Sequence, residues 1–475
     1  MAKVLFLQDL EYEFLGPMYI SSILKEHSHK VIMRIGGRID DFRSTIADFN
    51  PDFVAFSIMS GSHHWALDMA RQVKKEYGIA NIFGGPHPTY FPEFIEEKDV
   101  DIIVRGEGEE ACLELMDRFD RKEDFLDVKN IWVSRSGQIH KNEVRALCED
   151  LDKYPFPDRE LYSDLKGKVD LSVRNVIASR GCPWHCTFCF NDTMQALYKD
   201  KGKYVRIRSV DKVTEEARLL RDVTDTKTIY FVDDVFGLDS EWMFEFLPKF
   251  KEKVALPFIC LVRADVVCRN EKYAEYLADY GCMSACFGIE SGDENMRNTI
   301  LNKNVSDKSL YEAADRLHKA GVKFRTFNIM GLPGETLEDA FQTLQMNIDM
   351  KTDYPWCSMF MPFPGTKLTE YAKEKGYLPK DYTIADLSKS FYSKSSLSNH
   401  PQIRQIQNLQ NFFQTVVLWP WTLGLVRQLI KLPQNMIFTM WFGFVYFVVY
   451  VRSENRSFWR TLYFTLRNYK RLIKR

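Results

Sequence analysis

Short apolar runs alternate with stretches of helical periodicity over the first 125 residues. Residues 4–7, 30–35, 53–58, 81–83 and 100–104 read as strands, with 18–25 and 65–77 as helices between them. This alternation predicts a doubly wound α/β domain, a parallel sheet with helices on both faces. Residues 126–170 read as a linker. Within it, 131–139 predict a hairpin around Ser136-Gly137, and the Pro-rich stretch 150–157 a stiff connector. From 171 to 385 the alternation resumes, with strands at 175–178, 228–232, 258–262, 285–289, 323–330 and 356–361. Six repeats predict a partial (β/α)6 barrel. Residues 386–475 predict a helical, aromatic and finally basic extension.

Ligands of parallel sheets gather at the carboxyl ends of the strands. Gly84 and Gly85 end one such strand. Without Cβ atoms they permit either a tight turn or the close approach of a cofactor.

Composition narrows the class. The 475 residues are 45% hydrophobic and 27% charged with a net charge of -1, which excludes a largely disordered or disulfide-stapled chain and a general nucleic-acid binder. The charge is uneven: residues 452–475 hold eight Lys or Arg and one acid. The apolar run after Met1 is too short for an export signal. Ten cysteines are therefore expected in a reducing cytoplasm, for metal binding or catalysis.

The sharpest signal is Cys182-Pro183-Trp184-His185-Cys186-Thr187-Phe188-Cys189, directly after the first barrel strand. Three thiolates in one short loop can hold three irons of a cubane and leave the fourth open. A structural zinc site usually takes a fourth protein ligand. His185 could supply it, but from inside the loop. Cys282 and Cys286 flank a predicted strand and read as buried apolar residues.

This C-x3-C-x2-C loop, with Phe188 before its last cysteine, resembles the signature of the radical S-adenosylmethionine (SAM) superfamily. Further matching stretches follow in order: 231–234, 263–265, 288–292, 331–336 and 362–366. The resemblance implies a [4Fe-4S] cluster on Cys182, Cys186 and Cys189. It also implies SAM contacts from Phe188, Asp233, Asp234, Arg263, Glu290, Ser291, Gly331 and Pro362. A Rossmann-like domain ahead of such a barrel is similar to the cobalamin-binding class. That places cobalamin against Ser57, Ser60, Gly61, Gly84, Gly85, His87, Gly106, Glu107 and Gly108.

One feature departs from many cobalamin proteins. Their Asp-x-His-x-x-Gly stretch corresponds here to residues 9–16, with Tyr12 and Glu13 and no histidine. His63, His64 and His87 are not expected as axial ligands. The resemblance implies reductive cleavage of SAM to a 5′-deoxyadenosyl radical, followed by methylation of an unactivated carbon, with ferredoxin or flavodoxin as reductant. The alternatives are an oxidative cyclase or rearranging enzyme, like the anaerobic magnesium-protoporphyrin ester cyclase, and an iron-sulfur sensor or scaffold.

The tail bears on the substrate. Residues 432–451 carry no charge and approach the length of a membrane span. Phe458, Leu462, Leu466, Tyr469 and Ile473 fall at helical spacing, among Arg456, Arg460, Arg467, Lys470, Arg471 and Lys474. This predicts a basic amphipathic helix on the inner face of the cell membrane, serving a small hydrophobic substrate. A helical lid over the barrel and a true span are the other outcomes.

Overall fold

The computed structural model describes residues 1–473 apart from 168, 388–394, 396 and 398, with side chains described as far as residue 466. The expected charges on Arg467, Lys470, Arg471 and Lys474 and the apolar Tyr469 and Ile473 thus fall outside the described side chains. Contacts divide the chain into two compact units, residues 1–169 with 194–204 and residues 170–193 with 205–475.

The first unit contains β1 (Lys3–Gln8), α1 (Leu15–Glu26), β2 (Lys30–Ile35), α2 (Arg43–Phe49), β3 (Phe53–Ser57) and α3 (His63–Tyr77). It continues with β4 (Ala80–Gly84), α4 (Pro86–Tyr90), β5 (Ile102–Val104), α5 (Glu109–Asp120), β6 (Ile131–Arg135) and β7 (Gln138–Lys141). The sheet order is β2-β1-β3-β4-β5-β6-β7. The first five strands are parallel, and β6 and β7 add antiparallel pairs. The hairpin read as part of a linker is therefore an edge of this sheet. The strands read as continuous apolar runs because both faces are covered; Val54, Phe56, Phe83 and Ile103 are almost wholly buried. The chain reverses direction across the sheet at β1, which opens a crevice outside the carboxyl ends of β1 and β3.

The second unit carries β8 (Val173–Val176), β9 (Ser179–Arg180), α6 (Phe190–Leu197, which runs on into the first unit), β10 (Arg206–Ile207), α7 (Val210–Val223) and β11 (Thr228–Phe231). Next come α8 (Ser240–Lys253), β12 (Phe258–Leu261), α9 (Ala264–Arg269), α10 (Tyr273–Asp279), β13 (Cys282–Glu290), α11 (Asp307–Lys319), β14 (Lys323–Met330), α12 (Leu337–Asp349), β15 (Tyr354–Met359) and α13 (Lys367–Glu374). Six parallel strands lie in the order β15-β14-β13-β12-β11-β8, each beside its predecessor in the alternating chain, as an incomplete barrel requires. Ser209, Asp239, Ser306 and Thr336 cap α7, α8, α11 and α12 by accepting first-turn N–H bonds.

The extension forms α14 (Ile403–Leu418), α15 (Leu423–Leu429), α16 (Met436–Ser453) and α17 (Phe458–Ile473). An outer strand leaves carbonyls unpaired. On β15 those of Pro355 and Cys357 accept from Gln414 and Gln410 of α14, at 2.9 and 3.0 Å. One helical turn separates the two glutamines, close to the two-residue repeat of the strand.

The turn after α16 is also built in. Arg325 of β14 is buried, stacks on Trp356 at 4.6 Å and donates to Ser453. Glu454 is buried beside it, 3.5 Å from Arg325 and 2.8 Å from Arg456. Arg456 also donates to the Asp170 carbonyl at 2.9 Å. Arg456, expected on the charged face of a surface helix, is thus largely enclosed.

Candidate cluster and cofactor sites

The cysteine loop spans the gap between β9 and α6, at the carboxyl edge of the barrel sheet, and is stitched down on both sides. Thr187 donates its N–H to the Leu301 carbonyl (3.0 Å) and its hydroxyl to that of Ile300 (2.7 Å), and Leu368 donates to Thr187 (2.9 Å). Asn302 donates to the His185 carbonyl at 2.8 Å. Trp184 lies under the Arg263 guanidinium at 4.2 Å and near that of Arg269 at 5.6 Å. Phe188 packs against the apolar group that includes Leu301, Leu332 and Leu368.

Two adjacent carboxylates set the ends of the loop. Asp233, following β11, is buried and accepts from the Ala178 N–H at 3.1 Å, from the Ser179 N–H, and from the Ser179 hydroxyl at 2.6 Å. Burial pushes this carboxyl up to about 6 against the pull of those donors. Asp234 accepts from the Gly181 N–H at 3.2 Å and the Asn191 amide at 2.7 Å, bridging the residue before Cys182 to the second residue after Cys189. The Asn191 N–H in turn approaches the Cys189 sulfur at 3.5 Å.

Burial raises all three thiols, Cys182 to about 11. The charges of Lys303 and Arg263 oppose it at Cys186. A zinc ion needs its ligands about 2.3 Å from one point. Among the described residues no group of three His, Cys, Asp or Glu side chains converges in that way. Thiolates of a cubane each take a different iron and stand further apart. The loop, with its cationic neighbours, fits a cluster.

The other expected SAM contacts stand at neighbouring strand ends. Arg263 pairs with Asp265 at 2.6 Å and donates to the carbonyls of Lys303 and Asn304. Glu290 ends β13 at φ 67° and pairs with Lys303 at 2.6 Å, both largely buried. A Cβ on Gly288 would strike that pair, so the glycine makes room for it. Ser291 is buried, and its carbonyl accepts from buried Arg297 at 2.8 Å. Gly331 has φ 74° and donates to Glu335, whose carboxyl burial pushes up to about 8. Pro362 is buried. Each carboxylate expected to face SAM already has a partner within the chain. Asn191, Lys303 and Glu335 complete the arrangement. Nothing in the sequence marks the first two, because a lone Asn or a Lys in a turn reads as solvated.

In the first unit the crevice at β1 and β3 has exposed Tyr12 and Met59 on its rim, and Gly61 (φ 103°) with open space beside it. Other glycines lie close to neighbouring groups of the chain. A Cβ on Gly85 would meet the Ile58 backbone at 2.9 Å, and one on Gly106 would overlap the Tyr198 hydroxyl. That hydroxyl accepts from the Glu107 N–H at 2.8 Å. Gly108 packs on Ile20 and Val104. His87 is buried, stacked on His63 at 4.1 Å and bonded to Ser60 at 3.2 Å. His63 accepts from Gly61 at 3.1 Å. Burial pushes His63 down to about 4 and His87 to about 3. Neutral stacked imidazoles with these partners are placed for packing. The crevice with Gly61 beside open space fits the approach of a cobalamin.

Residues 176–346 match the radical SAM superfamily and residues 9–116 the B12 binding domain. An uncharacterized methyltransferase of Pyrococcus horikoshii is 29% identical over 75% of this chain and 78% of that protein. The anaerobic magnesium-protoporphyrin IX monomethyl ester cyclase of Rubrivivax gelatinosus is 24% identical over 75% of this chain and 66% of that protein. Among solved structures, the radical SAM methyltransferase TsrM of Kitasatospora setae, with tryptophan substrate and a SAM analogue bound, superposes with a TM-score of 0.65. The match has 13% identity and covers 79% of this chain and 76% of that one, a likeness of fold. The two matched domains imply a [4Fe-4S] cluster, SAM and cobalamin, and an enzyme. The chain thus joins a B12 binding domain to a radical SAM domain.

Proposed function

We propose that this enzyme methylates an unactivated carbon of a hydrophobic, lipid-like or tetrapyrrole-like substrate in the cytoplasm, at the inner face of the cell membrane, with ferredoxin or flavodoxin as electron donor. The observation that carries the reading is the cysteine loop, clamped at the carboxyl edge of a barrel by Asp233 and Asp234, in a chain that also folds a B12 binding domain. Cys182, Cys186 and Cys189 would hold the cluster, and Phe188, Asp233, Asp234, Arg263, Glu290, Ser291, Gly331 and Pro362 would contact SAM. Ser57, Ser60 and Gly61 at the crevice, with Gly84, Gly85, His87, Gly106, Glu107 and Gly108 behind them, would hold cobalamin.

The bound cofactors supply the radical and the methyl group, chemistry that no side chain provides. The chain fixes the cluster loop and places Lys303 and Arg263 beside Cys186. The apolar, cationic composition of the extension supports a hydrophobic substrate.

Anaerobic turnover of SAM by the reconstituted, cobalamin-loaded enzyme tests the reaction type. Methyl transfer yields S-adenosylhomocysteine alongside 5′-deoxyadenosine. 5′-Deoxyadenosine alone, in the presence of the true substrate, would move the reading to cyclisation or rearrangement, the reaction class named for the Rubrivivax relative.

A further inference from the structure

From Leu387 to Arg475 the sequence contains one acid, Glu454, and that acid is buried between Arg325 and Arg456. The solvent-facing side of this region therefore bears no carboxylate, while Arg427, Lys431, Arg452 and Arg460 are exposed.

Its apolar side chains are divided in an unusual way. Phe438, Phe442, Val445 and Val449 of α16 are buried. Phe438 meets Phe412 of α14 at 4.8 Å, and Val445 and Val449 pack with Tyr354 of β15. On the other side of the same helix Met436, Ile437, Met440, Trp441 and Phe444 are exposed, Ile437 at 74% and Met440 at 65%. Trp421 before α15, at 83%, and Trp459, Tyr463 and Leu466 along α17 are exposed as well. Soluble proteins seldom leave so much contiguous apolar surface uncovered.

We infer that α16 and its neighbours dock the enzyme in the plane of an anionic lipid surface, with the stripe from Met436 to Phe444 entering the acyl boundary and the flanking cations meeting headgroups. This deepens the membrane reading above and is independent of the reaction catalysed. Charge complementarity selects the occupant. A surface with cations and no exposed acids favours phosphate headgroups, and aromatic side chains suit the interfacial depth. Packing selects the mode. α16 is long and apolar enough to cross a bilayer, but one face is held by α14 and β15, and its end is locked to Arg325. A span would require stripping that face away.

The test is co-sedimentation of the reconstituted full-length enzyme with phosphatidylcholine vesicles, with and without phosphatidylglycerol. The variants are Ile437→Glu with Met440→Glu, and Arg452→Gln with Arg460→Gln. The wild type should bind the anionic vesicles and release them as salt rises. The first variant should lose roughly tenfold or more of that binding, because two apolar side chains no longer enter the lipid. The second should flatten the salt dependence. SAM cleavage by each variant should match the wild type, which separates a lost docking surface from a lost fold. If the wild type stays unbound, both the inference and the membrane reading fall. Equal binding by the Ile437→Glu, Met440→Glu variant would overturn the inference alone. So would a concentration-dependent dimer that this variant abolishes, which would give the face to a second copy.

Discussion

The cysteine loop and the C-terminal helices are both made of residues that pack on the barrel, yet they are specified in opposite ways. In the loop, about ten residues carry the information. Three sulfurs at fixed spacing are held by two carboxylates and a handful of backbone bonds, each with one donor and one acceptor. In the helices the apolar residues outnumber what any single face needs. Which side of α16 is core and which is surface follows from where α14 lies. A region specified by few directional contacts should respond sharply to single changes. One specified by area should respond only where a buried polar group is involved.

The largest effect should come from Cys186→Ala, which removes a cluster ligand. Iron content and the charge-transfer absorbance should fall well below four irons, and SAM cleavage should vanish with them. A full four-iron spectrum in that variant would break the assignment of the loop. Next, Glu454→Gln tests whether the helices also hold one directional point. It leaves two buried guanidinium groups facing a neutral amide, and should cost about 3 kcal/mol in urea unfolding of the barrel unit. A change within about 0.5 kcal/mol would make the extension a region of area alone.

A smaller effect is expected at the loop clamp. Asp234→Asn keeps the shape but presents an amide where two donors converge. A loss of roughly 1–2 kcal/mol should appear as about tenfold faster iron loss to a chelator, with near-normal unfolding. The smallest effect is in pH. Burial, the largest cause, raises the folded-state value of Asp233 to about 6 from 3.8. The folded state then holds this proton more tightly than the unfolded state. Its contribution is fully present below about pH 4 and is lost as pH rises through 6, at no more than about 1.4 kcal/mol per pH unit. Asp233→Asn should flatten that part of the stability–pH curve. A wild-type curve that rises over the same range for this group would contradict the burial assigned to it.

Much of the fold was legible because parallel strands buried on both faces are written as unbroken apolar runs. The strand at 30–35 coincides with β2 and that at 323–330 with β14, and the others differ by a few residues at their ends. The candidate site was legible where cysteines recur at a fixed spacing, and the structure clamps the loop that carries Cys182, Cys186 and Cys189 at both ends. It was less so where a residue serves the chain. Gly85 and Gly106 read as room for a cofactor, and the sequence did not show that a Cβ on either would also meet Ile58 or Tyr198. Periodicity cannot report what fills a space, because the filling side chain can come from about 90 residues away.

The sequence by itself determined two α/β units, the cluster loop and the absence of a histidine at residues 9–16, since each is a matter of local pattern or residue chemistry. Only the tertiary structure decided what long-range contacts control. It used Asp233 and Asp234 as clamps, paired Glu290 with Lys303, turned Gln410 and Gln414 onto the sheet edge and buried the one acid of the tail. A charged or amide side chain has the same local propensity whether its partner is water or a residue across the fold. Its role is therefore set when packing removes the water.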